Sequence, residues 1–125
     1  MVSFSDWLQE AKDDLSAADN LGQAKLYAQA CFHCQQAAEK ALKSLLLKSK
    51  GTVPKSHSLR LLATEAGVLE QLLKELALLE GDYSLSRYPD VYGKPPRDIY
   101  GRETFLARIG AAKKVLGAVE KWTKS

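Results

Sequence analysis

The sequence predicts an all-α protein, an antiparallel up-and-down bundle of four or five helices. Three observations predict it. Apolar residues recur every three or four positions through each long run of the chain, which projects them as a stripe on a helix. Gly22, Gly51 and Gly81 punctuate those runs, where helices stop. No stretch alternates apolar and polar residues over the length of a strand, and no internal repeat or linker breaks the chain, so a single domain spanning residues 1–125 is expected.

The run from Ala24 to Lys50 organises the rest. Tyr27, Ala30, Cys31, Cys34, Ala38, Ala41, Leu42 and Leu45 share one stripe, and neither Pro nor Gly interrupts the run before Gly51. Phe32, Leu46 and Leu47 fall outside that stripe. A helix apolar on more than one side is buried on more than one side, so this is the expected central helix.

Before it, a first helix is expected from about Ser5 to Asn20, with Trp7, Leu8, Ala11, Leu15 and Ala18 on its apolar face. Ser3 and Asp6 fit a capping box, and Asn20-Leu21-Gly22 reads as its end. After Gly51, a loop containing Pro54 leads to Ser56 or Ser58, either of which can cap a helix starting near Leu59. Leu62, Ala66, Leu69, Leu73 and Leu76 stay in phase through Glu80, with Gly67 placed to kink that helix or split it in two. A final helix from about Arg102 to Thr123 carries Phe105, Ile109, Ala112, Leu116 and Val119 inward, with a basic end at Lys113, Lys114, Lys121 and Lys124.

Whole-chain quantities limit the function classes. With 125 residues, 46% hydrophobic and 26% charged, the chain can bury a core without disulfides or metals. Its net charge of +3 admits an anionic ligand but lacks the strong basicity of a dedicated nucleic-acid binder. No apolar run approaches the roughly 20 residues that cross a bilayer, and residues 1–15 lack the pattern of a signal peptide, so a cytoplasmic location without a membrane role is expected. Cys31 and Cys34 share the apolar stripe and read as buried thiols. On a helix His33 points away from both, and no second Cys/His pair completes a metal site.

Residues 82–101 differ in kind. They hold three of the four prolines and four of the five tyrosines, and show no helical or strand period. Disordered segments are poor in aromatics, so an ordered functional loop is the reading.

Taken in order, these features form a pattern: Trp7 and Leu15 in a first helix, then FHCQQAAEKALKSLL (Phe32 to Leu46), then His57-Ser58-Leu59, then Ser86-Arg87-Tyr88-Pro89-Asp90, then an amphipathic helix. Over essentially its whole length the chain resembles the HEPN domain (higher eukaryotes and prokaryotes nucleotide-binding). The resemblance implies a helical bundle that forms a homodimer. It also implies an association with minimal nucleotidyltransferases and with toxin–antitoxin and defence systems. The family's ribonuclease activity uses an Arg, four to six residues and a His. Here the first arginine, Arg60, follows both histidines, and no His follows Arg87. No catalytic residue, cofactor or metal is therefore assigned, and a non-catalytic module binding a nucleotide or other anionic ligand is expected, with RNA a less favoured ligand. A ribonuclease with a degenerate site, or a purely structural docking dimer, are the alternatives.

The expected ligand contacts are Arg87, a planar five-donor fork for phosphate; Tyr88, a ring for stacking; and Asp90, an acceptor or an anchor for Arg87. Pro89 restrains Tyr88 to an extended backbone. His57 is placed to cap the next helix or to meet the Arg87 loop, and Lys40 and Lys43 to face an anion. Phe32, Gln35, Glu39 and Leu46 along one flank of the central helix, with Tyr83, are the expected dimer seam.

Overall fold

The computed structural model describes residues 2–88 and 93–124. The first helix, α1, spans Phe4–Gln23. Its start is the anticipated capping box: the Ser3 hydroxyl accepts from the Asp6 backbone at 3.2 Å, and the Asp6 carboxylate accepts from the Ser3 backbone at 2.8 Å. The backbone hydrogen bond, and then that to the hydroxyl, hold the Asp6 carboxyl below the usual carboxylate range.

At its far end α1 runs past the expected stop at Asn20 and continues through Gly22. A Cβ built on Gly22 would lie 2.3 Å from Cζ of Phe105, so the glycine makes room for an aromatic ring rather than ending a helix. The chain turns instead at Lys25, whose φ of 64° is left-handed.

Helix α2, Tyr27–Lys50, is the spine. It is buried on several sides, as its two apolar faces require, and α1, α7 and α3 pack around it. Gly51, at φ 74°, closes it with its N–H on the Leu47 carbonyl. Ser58 caps α3, Leu59–Ala66, by accepting from the Leu61 N–H at 3.1 Å. The left-handed Gly67 then separates α3 from α4, Leu69–Leu79, so the anticipated break yields two helices.

Residues 82–101 are not wholly irregular. They contain two single-turn helices, α5 at Asp82–Leu85 and α6 at Pro96–Ile99. One turn is too short to carry a period, which is why the sequence read as loop. Pro at the first position of α6 suits a helix start, where its missing N–H is no loss. Helix α7, Arg102–Thr123, completes the bundle, laying Ile109, Ala112, Val115 and Val119 against α2 and α4. Burying the larger of these side chains, Ile109, Val115 and Val119, contributes about 1.5–3 kcal/mol each. Among the described residues there is no strand, and no helix is long and apolar enough to cross a membrane.

Candidate functional site

A buried carboxylate sets the position of the site. Asp82, the first residue of α5, is 2% exposed; it accepts from the Tyr100 hydroxyl at 2.7 Å and from Arg108 Nε at 2.8 Å. Burial pushes its carboxyl up, against the opposing pull of Tyr100 and Arg108. Ser86 donates back to the Asp82 carbonyl. The start and end of the 82–101 segment are thus tied together and to α7, which fixes the one-turn helix carrying Tyr83 and the turn after it that carries Arg87.

Arg87 projects from that turn into a group of rings. Its guanidinium carbon lies 4.2 Å from the centroid of Tyr83, and 4.9 Å from those of Phe32 and Tyr88. Its Nε donates to the Tyr83 carbonyl at 2.8 Å. Each ring contact stabilises by about 0.5–1 kcal/mol at an exposed site. The terminal NH₂ groups keep their donors, and among the described residues no carboxylate pairs with them. Tyr88 is 48% exposed, its ring held on Arg87. Asp90 and Pro89, assigned roles beside it, and Tyr92 lie outside the described residues.

His57 joins this group through Tyr83, on which it stacks at 4.1 Å and 17°. Its Nδ1 is 3.1 Å from Glu39 Oε1. It therefore meets the Arg87 segment, and the capping role belongs to Ser58.

Glu39 is the hub of a buried polar cluster. It accepts from Lys43 Nζ at 3.1 Å and, more weakly, from the Gln35 and Gln36 amides at 3.4 Å; Gln35 also donates to the His57 carbonyl. Several residues expected at a dimer seam or beside a ligand are engaged within the chain. Gln35, Glu39 and Leu46 are buried in its interior. His57 meets the two polar ones, its carbonyl on Gln35 and its ring on Glu39. Lys43 is buried against Glu39, and Lys40 pairs with Asp14 at 2.6 Å, so both are engaged by carboxylates of their own chain. Phe32 and Tyr83 remain half-exposed and adjoin each other at 6.1 Å between ring centroids.

On the other side of Arg87 and Phe32 opens a cleft of about 650 Å³, within the usual range for small-ligand sites. Lys25, His33, Arg87 and Arg97 line it, with Tyr27 and Tyr100 as aromatic wall; among the described lining residues there is no acid. The bundle's interior cations are paired (Lys40, Lys43, Arg108), whereas Lys25, Arg87 and Arg97 have no carboxylate partner among the described residues. The first turn of α2 also lines the cleft. Its cap residue Leu26 supplies no side-chain hydrogen bond, so the N–H groups of that turn are open to an acceptor.

His33 reaches the cleft from α2. Its Nδ1 is held at 2.8 Å by Oδ1 of the nearly buried Asp14, which leaves Nε2 as its free ring nitrogen. Asp14 Oδ2 sits close to Lys40 as an ion pair that is not aligned as a hydrogen bond.

Lys25, His33, Asp14 and Arg97 were not expected at the site from sequence. His33 and Asp14 lie on separate helices, and nothing local joins them. Lys25 carried a faint signal: it stands just after Gly22 in a helix-ending connection, where glycine is the usual residue. A non-glycine residue held left-handed costs about 1–3 kcal/mol, and such strain gathers at functional sites.

The HEPN domain model matches residues 4–122. The chain belongs to the HEPN family. Its helical bundle agrees with solved HEPN structures. The protein TT1696 from Thermus thermophilus is similar at 35% identity and a TM-score of 0.89, covering 97% of this chain and 98% of that one. ST0689, described as an archaeal HEPN homologue, is 34% identical with a TM-score of 0.84, over 99% of this chain and 100% of that one. No curated protein matches this HEPN chain.

Proposed function

We propose that this HEPN domain is a non-catalytic module that binds a nucleotide or another phosphorylated ligand. It works as a homodimer whose partner is a minimal nucleotidyltransferase, in a toxin–antitoxin-like pair. The observation that carries the ligand reading is Arg87: a guanidinium oriented by three rings and one backbone carbonyl, with terminal donors unopposed by any described carboxylate. Such a fork matches a phosphate, and the half-exposed Tyr88 offers a face for a base. Phe32 and Tyr83 are the surface left for a two-fold seam once Gln35, Glu39 and Leu46 are assigned to the interior.

Thermal unfolding in the presence of nucleotides tests the reading, because a ligand that binds only the folded state raises Tm. Wild type is expected to shift and Arg87→Ala to lose the shift. No shift with any nucleotide would leave a protein-docking dimer as the better account. Sedimentation gives the oligomeric state, and co-purification with a nucleotidyltransferase tests the pairing.

A second reading, a ribonuclease with a degenerate site, is favoured by one observation. Tyr83 brings His57 and Arg87 onto a single ring, although their order and spacing in sequence do not fit the family motif. Glu39 on Nδ1 leaves Nε2 of His57 to move a proton, and Arg87 can stabilise charge on phosphorus. Incubation with labelled RNA, using His57→Ala and Arg87→Ala as controls, decides between the two.

A further inference from the structure

We infer that the cleft beside Arg87 is a separate subsite for a polyphosphate chain, so that the ligand is a nucleoside triphosphate rather than a monophosphate. The inference rests on the nucleotide reading above and names the ligand of that site. Its ground is a set of nitrogen-bearing side chains drawn from two stretches far apart in sequence, Lys25 and His33 around the start of α2 and Arg87 and Arg97 around α5 and α6, all lining one cleft. One phosphate needs one fork, which Arg87 supplies. Lys25 and Arg97 then remain as cations without carboxylate partners among the described residues, lining the same cleft with no described acid to neutralise them.

Two details fit an extended anion. His33 is pinned through Nδ1 by Asp14, which fixes the orientation of a ring that lines the cleft. The uncapped first turn of α2 adds backbone N–H donors on the same wall. The left-handed backbone of Lys25 is explained as well: glycine would be relaxed there but would bring no ammonium group to the cleft.

The full-length protein is titrated calorimetrically with AMP, ATP, inorganic triphosphate and the dinucleotide ApA, in buffer containing EDTA. ATP is expected to bind at least about tenfold more tightly than AMP, the scale of one further ion-paired contact. Triphosphate alone is expected to bind. Lys25→Gly and Arg97→Ala are expected to abolish the advantage of ATP over AMP, weakening ATP far more than AMP. Lys25→Gly is also expected to hold or raise Tm, which separates lost binding from lost folding. Tyr88→Ala should weaken AMP and ATP alike and spare triphosphate. Equal binding of AMP and ATP overturns the inference while the nucleotide reading stands. ApA binding as tightly as ATP also overturns it, since the cations would then follow a strand backbone. Triphosphate binding without AMP keeps the subsite and removes the nucleotide reading.

Discussion

The Tyr100 hydroxyl donates to the Asp82 carboxylate at 2.7 Å, closing an 18-residue stretch of chain on a group that is almost wholly buried. Arg108 satisfies the other carboxylate oxygen from α7. Removing the carboxylate leaves a half-buried guanidinium and a buried phenol unpaired. Asp82→Ala is expected to destabilise by about 3–5 kcal/mol. Tyr100→Phe, which removes one hydrogen bond, is expected to cost about 1–2 kcal/mol. Urea unfolding measures both, and equal losses would show that Tyr100, not Arg108, is the main partner.

Glu39 joins Lys43, Gln35 and His57 inside the bundle. Lys43 has little solvent to turn to, so Glu39→Ala is expected to cost about 3–5 kcal/mol. A Glu39→Ala/Lys43→Met double variant should recover much of that loss, because the unpaired charge is gone. If the double variant is no more stable than the single, the ion pair is not what Glu39 contributes.

Burial pushes the Cys31 thiol up from about 9 to about 12, with nearby Asp82 adding to the shift, and raises Cys34 and Tyr100 further still. All three fold in their neutral forms. Below about pH 9 folded and unfolded chains alike hold the protons, and the full stability is present. Above that, the unfolded thiols and then the phenol ionise first, so stability falls as pH rises. Tm is expected to decline steadily from pH 9 to 11, and less steeply in Cys31→Ala/Cys34→Ala. At pH 8 a thiol reagent should modify the native protein only as fast as it unfolds.

Gly22 faces the Phe105 ring with no room for a methyl group. Gly22→Ala has a helical backbone to favour it but must displace that ring, and overpacking of this kind costs about 1–3 kcal/mol. Phe105→Leu in the same chain should relieve the clash and give a favourable coupling in a double-mutant cycle. Additive losses would mean that the ring moves aside freely.

Local chemistry made most of the fold legible. The stripe from Tyr27 to Leu45, the Ser3–Asp6 cap, the break at Gly67 and the final helix from Arg102 depend on neighbours within a turn or two, and each is present. Gly22 misled because a helix-ending glycine and one that admits a ring look alike until the ring's owner, 83 residues on, is in place. Residues 82–101 misled because single turns have no period.

The site was legible in its residue types and not in its geometry. Arg87, Tyr88, Tyr83, Phe32 and His57 stood out by character, and the structure gathers them. Lys40, Lys43, Gln35, Glu39 and Leu46 looked available on the helical wheel and are taken up by the chain's own carboxylates and core.

By itself, then, the sequence determined the helices, their approximate ends and the family, since periodicity and capping are short-range and survive as pattern. Only the tertiary structure decided that Asp14 holds His33, that Asp82 joins Tyr100 and Arg108, and that Lys25, Arg87 and Arg97 line one cleft. Those meetings depend on how side chains from separate helices share one packed interior, and no local pattern records which of them will touch.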